Sequence, residues 1–361
     1  MFWLIFLLII IALQLMSWAF ARALLWQFAL DERIWRKRLI YSVLIISNLP
    51  MMLHILRLGK WFRITAGWLT VLWFALLTAL AVILLGKLFT LIRRRPHERL
   101  MRLFAALIFT GLFALSLYNA YTPTVRRIQV TLDKPLSQPV RIGMAADTHL
   151  GVLVGAKQLD KLAAIMQQEK VDLILLPGDI MDDDTDAYYA ENMRPHLEKL
   201  RAPLGVYATL GNHDLFGREQ EITRAVEEAG ITVLNDRAVL IGQSFWVVGR
   251  PDNLDKNRLP TAELLKQTNP SQAVFLLDHR PDAVLEHAKL PIDLQVSGHV
   301  HNGQVFPLNF IVRLLNPIHY GYGRIDKLNV VVTSGFGFWG VPFRLGSQAE
   351  VWIIDVKGKD G

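Results

Sequence analysis

Four uncharged apolar stretches fall before residue 126: Met1–Ala21, Leu39–Leu56, Thr65–Gly86 and Leu103–Tyr118. A helix rising ~1.5 Å per residue needs roughly 20 apolar residues to cross about 30 Å of hydrocarbon. Within hydrocarbon every backbone N–H and C=O must be satisfied by the chain itself, which leaves the helix as the local solution. The first, third and fourth stretches have the length, the fourth because it continues uncharged to Val125. The second is marginal. It carries Asn48, Pro50 and His54, and a kinked or re-entrant helix is the alternative to a full span. Four such runs so close together are not expected of buried helices in a soluble protein. Met1–Ala21 lacks the basic leading residues of a cleavable signal, and three more apolar runs follow it. Residues 1–125 are therefore expected to form an α-helical transmembrane region of about four helices.

The charge divides at the same place. The 361 residues carry a net +7, and a pI near 9.6 ordinarily suggests a polyanion-binding protein. Residues 1–118, however, hold fourteen Lys and Arg against three acids, which leaves a net −4 on the remainder. No nucleic-acid partner is expected. Arg22, Arg33, Arg36, Lys37 and Arg38 follow the first stretch; Lys87, Arg93, Arg94, Arg95, Arg99 and Arg102 follow the third. Only Arg57, Lys60 and Arg63 separate the second and third. Basic loops stay cytoplasmic. With four spans, the C-terminal part is expected on the periplasmic or other extracytoplasmic side; if the second stretch does not span, the topology inverts. Trp residues near the run ends, such as Trp18, Trp35 and Trp68, suit interfacial anchoring or packing between helices. Cys is absent, which excludes disulfides, thiolate metal sites, iron–sulfur clusters and cysteine nucleophiles.

From Arg127 onward, short β-branched runs alternate with amphipathic stretches. Strands are expected at Arg141–Ala146, Val171–Leu176, Gly205–Leu210, Ala273–Leu277 and Leu294–Val296, with further strands at Leu328–Thr333 and Glu350–Val356. Gln158–Glu169, Asp186–Leu200 and Glu219–Ala229 read as helices. The pattern is that of a layered α/β domain over residues 126–361, with Tyr121–Val125 as the linker.

Polar residues gather where five of these strands end. Asp147-x-His149 follows the first, Gly178-Asp179 the second, and Gly211-Asn212-His213-Asp214 the third. Asp278-His279 and Gly298-His299-x-His301 follow the last two. Sites of α/β sheets form at the carboxyl ends of strands, so residues far apart in sequence can converge. Asp and neutral His suit borderline divalent metals. Asp-x-His and His-x-His put two ligands on one side of an extended segment. Asp179 has two oxygens and can bridge two ions, while Asn212 offers a neutral oxygen. Alone, each cluster reads equally as a turn or a solvated loop. Together they hold five of the ten His residues in the chain. A two-metal centre of this kind clamps a phosphoryl group and makes a nucleophile of water at neutral pH.

The order Asp147-x-His149, Gly178-Asp179-x-x-Asp182, Gly211-Asn212-His213-Asp214, His279, Gly298-His299-x-His301 resembles the calcineurin-like metallophosphoesterases over roughly residues 138–357. Leu276–Asp282 and Gly303-Gln304 are similar to the bacterial membrane-associated branch, which often has Gly where this chain has Asn302. The resemblance implies a four-layer α/β/β/α sandwich and two divalent metal ions (Mn, Zn or Fe). Asp147, His149, Asp179 and His301 would hold one, and Asp179, Asn212, His279 and His299 the other. It implies that His213 hydrogen-bonds the phosphate or protonates the leaving group, and that Asp214 orients His213, helix capping being the alternative for Asp214.

Other features leave two readings each. Asp182, Asp183, Asp184 and Asp186 are an additional cation site, or a support for the metal loop with solvated and capping neighbours. Arg280 and Arg344 contact substrate phosphate, or form salt bridges. Phe336, Phe338, Trp339 and Phe343 form an exposed aromatic loop, or pack in the core. His54, His97, His196, His287 and His319 receive no role. The expected function is a membrane-anchored binuclear phosphoesterase cleaving phosphate mono- or diesters, with a lipid-linked or envelope substrate. The alternatives are a cytoplasm-facing nucleotide-lipid diphosphatase and a non-catalytic membrane sensor or transport module.

Overall fold

A computed structural model describes residues 2–30, 33–59, 61–92 and 97–359, so Lys60 and the basic run Arg93–Arg95 lie outside the described residues. The chain divides into two units, Met1–Leu117 and Tyr118–Gly361.

The first unit is helical: α1 Phe2–Gln27, α2 Arg33–Ile55, α3 Phe62–Leu91 and most of α4 Glu98–Tyr121. All four are long and apolar enough to cross a membrane. Helix α2 is not short; it runs through Pro50 as one element of 23 residues. The polar residues that made it look marginal are used between helices. Asn48 Nδ2 and Oδ1 pair with the Gln14 amide at 3.2 and 2.8 Å, and Ser17 Oγ donates to Ser47 Oγ at 2.7 Å. Trp68 Nε1 donates to the same Ser47 oxygen at 2.8 Å, so this Trp serves packing between helices. Such pairings are the usual glue between apolar helices, which gain little from burial against one another.

Among the described residues the second unit holds twelve strands. They are β1 Thr124–Thr131, β2 Val140–Met144, β3 Leu173–Pro177, β4 Val206–Thr209, β5 Thr232–Val233 and β6 Arg237–Ile241. The others are β7 Phe245–Arg250, β8 Ala273–Asp278, β9 Leu294–Ser297, β10 Gly321–Ile325, β11 Leu328–Val332 and β12 Glu350–Lys357. They make two six-stranded sheets, ordered β1-β12-β2-β3-β4-β5 and β10-β11-β9-β8-β7-β6. β2 to β5 run parallel, as do β7, β8, β9 and β11; β6 and β10 are antiparallel edges.

Alternation along the strands builds the layers. Ile142, Met144, Leu173, Leu175 and Ile354 meet Val247, Phe275, Leu277 and Val296 between the sheets. Their neighbours Ile174, Leu176, Ala208 and Ile353 face helices α5 Ala156–Gln168 and α8 Glu219–Glu228. On the far side, Val274, Leu276, Val330 and Val332 pack beneath α9 Thr261–Leu264 and α10 Val284–His287. Because both faces of each sheet are covered, the central strands read as continuous apolar runs. The result is the α/β/β/α sandwich.

Three expectations change. Asp186–Leu200 is two short helices, α6 Asp186–Ala190 and α7 Arg194–Leu197. Asn192 takes φ 48° between them and Pro195 lies in the first turn of the second; both end one helix and begin the next. Tyr121–Val125 is no loose linker, since Tyr121 closes α4 and Thr124 already pairs with Glu350 in β12. Within the aromatic loop, Phe336 and Phe338 are core residues and only Trp339 is exposed. A last helix, α11 Leu308–Leu315, follows the His299–His301 turn.

Phe275 is fully buried between the sheets, its ring 4.7 Å from that of Phe245. Replacing it by Ala is expected to destabilise the second unit by about 3–5 kcal/mol. Thermal unfolding of the detergent-solubilised chain, followed by near-ultraviolet circular dichroism, would show a lowered midpoint.

Candidate metal centre

The loops after β2, β3 and β4 in one sheet and after β8 and β9 in the other meet at one edge of the sandwich. Five of the expected ligands in these loops hold left-handed backbone: Asp147 (φ 53°), His149 (45°), Asp179 (52°), His299 (70°) and His301 (48°). For a residue with a Cβ this costs roughly 1–2 kcal/mol, and such strain gathers where function demands an unusual aim. Asn302 shares the conformation at φ 47°. Asn tolerates it better than most residues, so the chain keeps the turn without the branch's Gly.

Cross-links between loops hold the strain. Asp147 N donates to Gly178 O at 3.0 Å, His149 N to Asp179 O at 3.1 Å, and Gly298 N to His279 O at 2.9 Å. Two glycines permit this closeness. Gly178 has φ 89°, and a Cβ there would lie 2.6 Å from His279 Nδ1. A Cβ on Gly298 would collide with Asp147 Oδ2.

The side chains form two groups that share Asp179. In the first, His149 Nε2 lies 3.2 Å from His301 Nε2 and 3.7 Å from Asp179 Oδ2, and His301 Nε2 lies 3.5 Å from Asp147 Oδ1. In the second, His279 Nε2 lies 3.2 Å from both Asp179 Oδ2 and Asn212 Oδ1, with His299 in the same cluster. All seven residues expected as ligands are thus brought together. Their fit to metal ions rests on three points. Asp147 Oδ2 is buried without a hydrogen-bond partner. The donors are oxygen and imidazole nitrogen only, as borderline divalent ions prefer. His279 Nδ1 donates to Pro177 O at 2.9 Å, which turns Nε2 toward Asp179 and Asn212.

The electrostatics agree. Burial disfavours charge on His279, yet Asp179 and Asp147 raise its pKa to about 10. Burial opposes ionisation of Asp179 too, but His279 and His149 hold its carboxyl well below the usual range. Burial, aided by His279 and Arg280, lowers His299 to about 3, and burial with His149 and Arg344 lowers His301 well below its usual value. Two buried carboxylates therefore set a negative field that overcomes desolvation at its centre, the field a divalent cation answers.

Around this centre Asp214, Asp183 and Arg344 take roles the sequence pattern did not assign. Asp214 neither orients His213 nor caps a helix. Its buried carboxylate accepts the backbone N–H groups of Ile180 (3.1 Å), Met181 (2.9 Å) and Gly211 (2.9 Å), and so staples the Asp179 loop to the Gly211 turn. The carboxylate that meets His213 Nδ1 is Asp183, while Asp182 Oδ1 stands 3.7 Å from His149 Nδ1. Asp182, Asp183 and His213 also lie close enough to hold a cation together. Arg344 is neither exposed nor salt-bridged. Fully buried, its Nη2 donates to Ser334 O and Gly337 O at 2.6 Å and to His301 Nδ1 at 3.2 Å, and burial lowers its pKa to about 10. Arg280 takes the salt-bridge reading with buried Asp252, at 2.5 and 3.2 Å, and its Nη1 donates to His299 Nε2 at 3.0 Å. No local signal marks the pairings of Asp183 and Asp252, whose partners lie 30 and 28 residues away.

Comparison with known proteins decides the family. Residues 140–303 match the family described as calcineurin-like phosphoesterase. An uncharacterised metallophosphoesterase of Aquifex aeolicus is 31% identical over 256 residues, covering 68% of this chain and 96% of that protein. The chain belongs to the calcineurin-like metallophosphoesterases. A Bos taurus protein named transmembrane protein with metallophosphoesterase domain is 28% identical over 269 residues, 68% of this chain and 60% of that protein. A solved 5'-nucleotidase precursor from Thermus thermophilus aligns with TM-score 0.38 and 16% identity over 60% of this chain and 55% of that one. The chain is accordingly a metal-dependent phosphoric ester hydrolase, and it carries four helices apolar enough to cross a membrane.

Gly298→Ala in this metallophosphoesterase would press Asp147 out of place. The expected outcome is a folded protein with reduced bound metal, read by elemental analysis of the purified chain after dialysis against Mn²⁺. Unchanged metal content would contradict the geometry described.

Proposed function

We propose that the chain is a membrane-anchored binuclear phosphoesterase whose substrate is a phosphate ester held at a membrane, a lipid-linked or envelope compound. The observation that carries the two-metal reading is the buried Asp179 carboxylate shared by two groups of imidazole and carboxylate ligands. Asp147, His149, Asp179 and His301 would hold one ion, and Asp179, Asn212, His279 and His299 the other. When bound, two divalent ions clamp the phosphate oxygens and supply a nucleophilic water at neutral pH.

The chain's own groups do the rest. Asn212 contributes oxygen without charge, so an anionic ester approaches a less negative site. Asp183 fixes the His213 ring through Nδ1, leaving Nε2 to carry the proton. As water's oxygen bonds to phosphorus and the opposite P–O bond breaks, His213 Nε2 delivers that proton to the leaving oxygen. His213 is held over Asp179 by its backbone N–H, which donates to Asp179 Oδ1 at 2.9 Å.

Two observations support a substrate at the membrane. Four apolar helices exceed what a tether requires. Exposed Phe216 and Trp339 flank His213, with ring centroids 5.1 and 6.3 Å away. The basic loops after α1 and α3 support an extracytoplasmic site. A reporter fused after Gly361, active only outside the cytoplasm, is the expected result.

Asp179→Asn is expected to abolish Mn²⁺-dependent hydrolysis of every ester tested. His213→Asn is expected to lower kcat about 10²–10⁴-fold on an alkyl phosphate ester. It should cost much less on a p-nitrophenyl ester, whose leaving oxygen departs without a proton. Equal losses on both would exclude His213 as the acid. A panel of soluble esters and vesicle-borne lipid phosphates, with activity on the soluble ones alone, would exclude the membrane substrate.

A further inference from the structure

Helix α11 is built inside out. The side chains of Leu308, Phe310, Ile311, Leu314 and Leu315 are exposed, Leu314 by 85% and Leu315 by 73%, and none of the helix residues is buried. At about 3.6 residues per turn these five share one broad arc, with Asn309 and Arg313 on the opposite side. Asn309 is the residue turned to the protein: it lies against Gly303, and a Cβ on Gly346 would sit 3.7 Å from its amide nitrogen. A surface helix in water hides its apolar stripe and shows its polar side. This one does the reverse.

The exposed arc has a definite place in the unit. Gln304 Nε2, at the base of α11, donates to Trp339 O (2.9 Å) and Val341 O (3.2 Å), and its Oε1 accepts from Trp339 N at 2.9 Å. Phe306 N donates to Leu345 O at 2.6 Å. The helix and exposed Trp339 therefore share one rim. The chain enters the unit at the same rim. Asn119 Nδ2, in the last turn of α4, donates to Arg344 O at 3.1 Å, and Ala349 N donates to Asn119 O at 2.9 Å. Tyr121 meets Phe338 edge to face at 5.3 Å. Helix α4 is long and apolar enough to cross a membrane, and its last turn lies beside this loop. Arg313 is exposed and offers a cation to lipid phosphates, as interfacial helices do.

We propose that α11, with Trp339, lies in the bilayer surface as an interfacial helix and holds the mouth of the site at the level of the lipid headgroups. The proposal rests on the reading of α1 to α4 as membrane-spanning, and it holds whichever ester is cleaved.

The absence of Cys allows single-site labelling without background. Leu314→Cys in α11, Ile83→Cys on the exposed apolar face of α3 and Lys266→Cys on the polar surface would each carry a bimane label. The full chain would be reconstituted in phosphatidylethanolamine–phosphatidylglycerol vesicles, with hydrolysis of a soluble phosphodiester confirming a folded site. The expected result is blue-shifted, iodide-resistant emission at 314 and 83, and quenched emission at 266. Quenching at 314 with protection at 83 overturns the proposal and leaves the spanning reading intact. Quenching at 83 as well overturns both. Label self-quenching at 314 that grows with the protein-to-lipid ratio identifies a second copy on α11 and overturns the lipid assignment.

Discussion

A carboxylate buried between two sheets sets the terms for everything around it. Asp179 is almost wholly out of water, and an unpaired charge there would be very costly. The loops answer with imidazoles from both sheets, His149 from the β2 side and His279 from the β8 side, each turned toward Asp179 Oδ2. His213 N supplies a further hydrogen bond to Oδ1. The left-handed backbone at five ligand positions follows from the same demand. The loops after β2, β3 and β9 bring their side chains to one point by curling back on themselves.

The outer residues keep that arrangement rigid. Asp214 gathers three backbone N–H groups from two loops, and Arg344 gathers two carbonyls and a ring nitrogen. Both are buried charged groups fully engaged with polar partners, the condition under which a buried charge fixes geometry instead of disrupting it. Loss of either would leave several donors or acceptors stranded at once. The expected ligands thus depend on residues outside both groups.

The convergence of the expected ligands was legible in the sequence because its physical signature is local. Each follows an apolar strand, several neighbour a Gly that lets another loop approach, and Asp-x-His and His-x-His repeat with strand periodicity. The four-layer sandwich was visible only through the resemblance, although uninterrupted apolar strands such as Leu173–Pro177 are what two covered faces require. The pairing of Asp183 with His213 was not legible, because the two are 30 residues apart and an acidic run reads as solvated surface as readily as a cation site. Arg344 reads as an exposed cation in a Gly-rich loop until the loop is folded. The α6–α7 break and the unbroken α2 failed in opposite directions. Asn192 ended a helix that periodicity would continue, whereas Asn48 found an amide partner in Gln14 that no reading of α2 alone could provide.

The proposed two-metal reading of this hydrolase rests on one carboxylate shared by two groups of side chains. Electron paramagnetic resonance of the full chain loaded with Mn²⁺ in detergent tests this most directly. The account predicts an exchange-coupled spectrum from two ions about 3.5–4 Å apart, replaced by uncoupled Mn²⁺ in Asp179→Asn. A spectrum of isolated ions in the wild-type chain at saturating metal would contradict it.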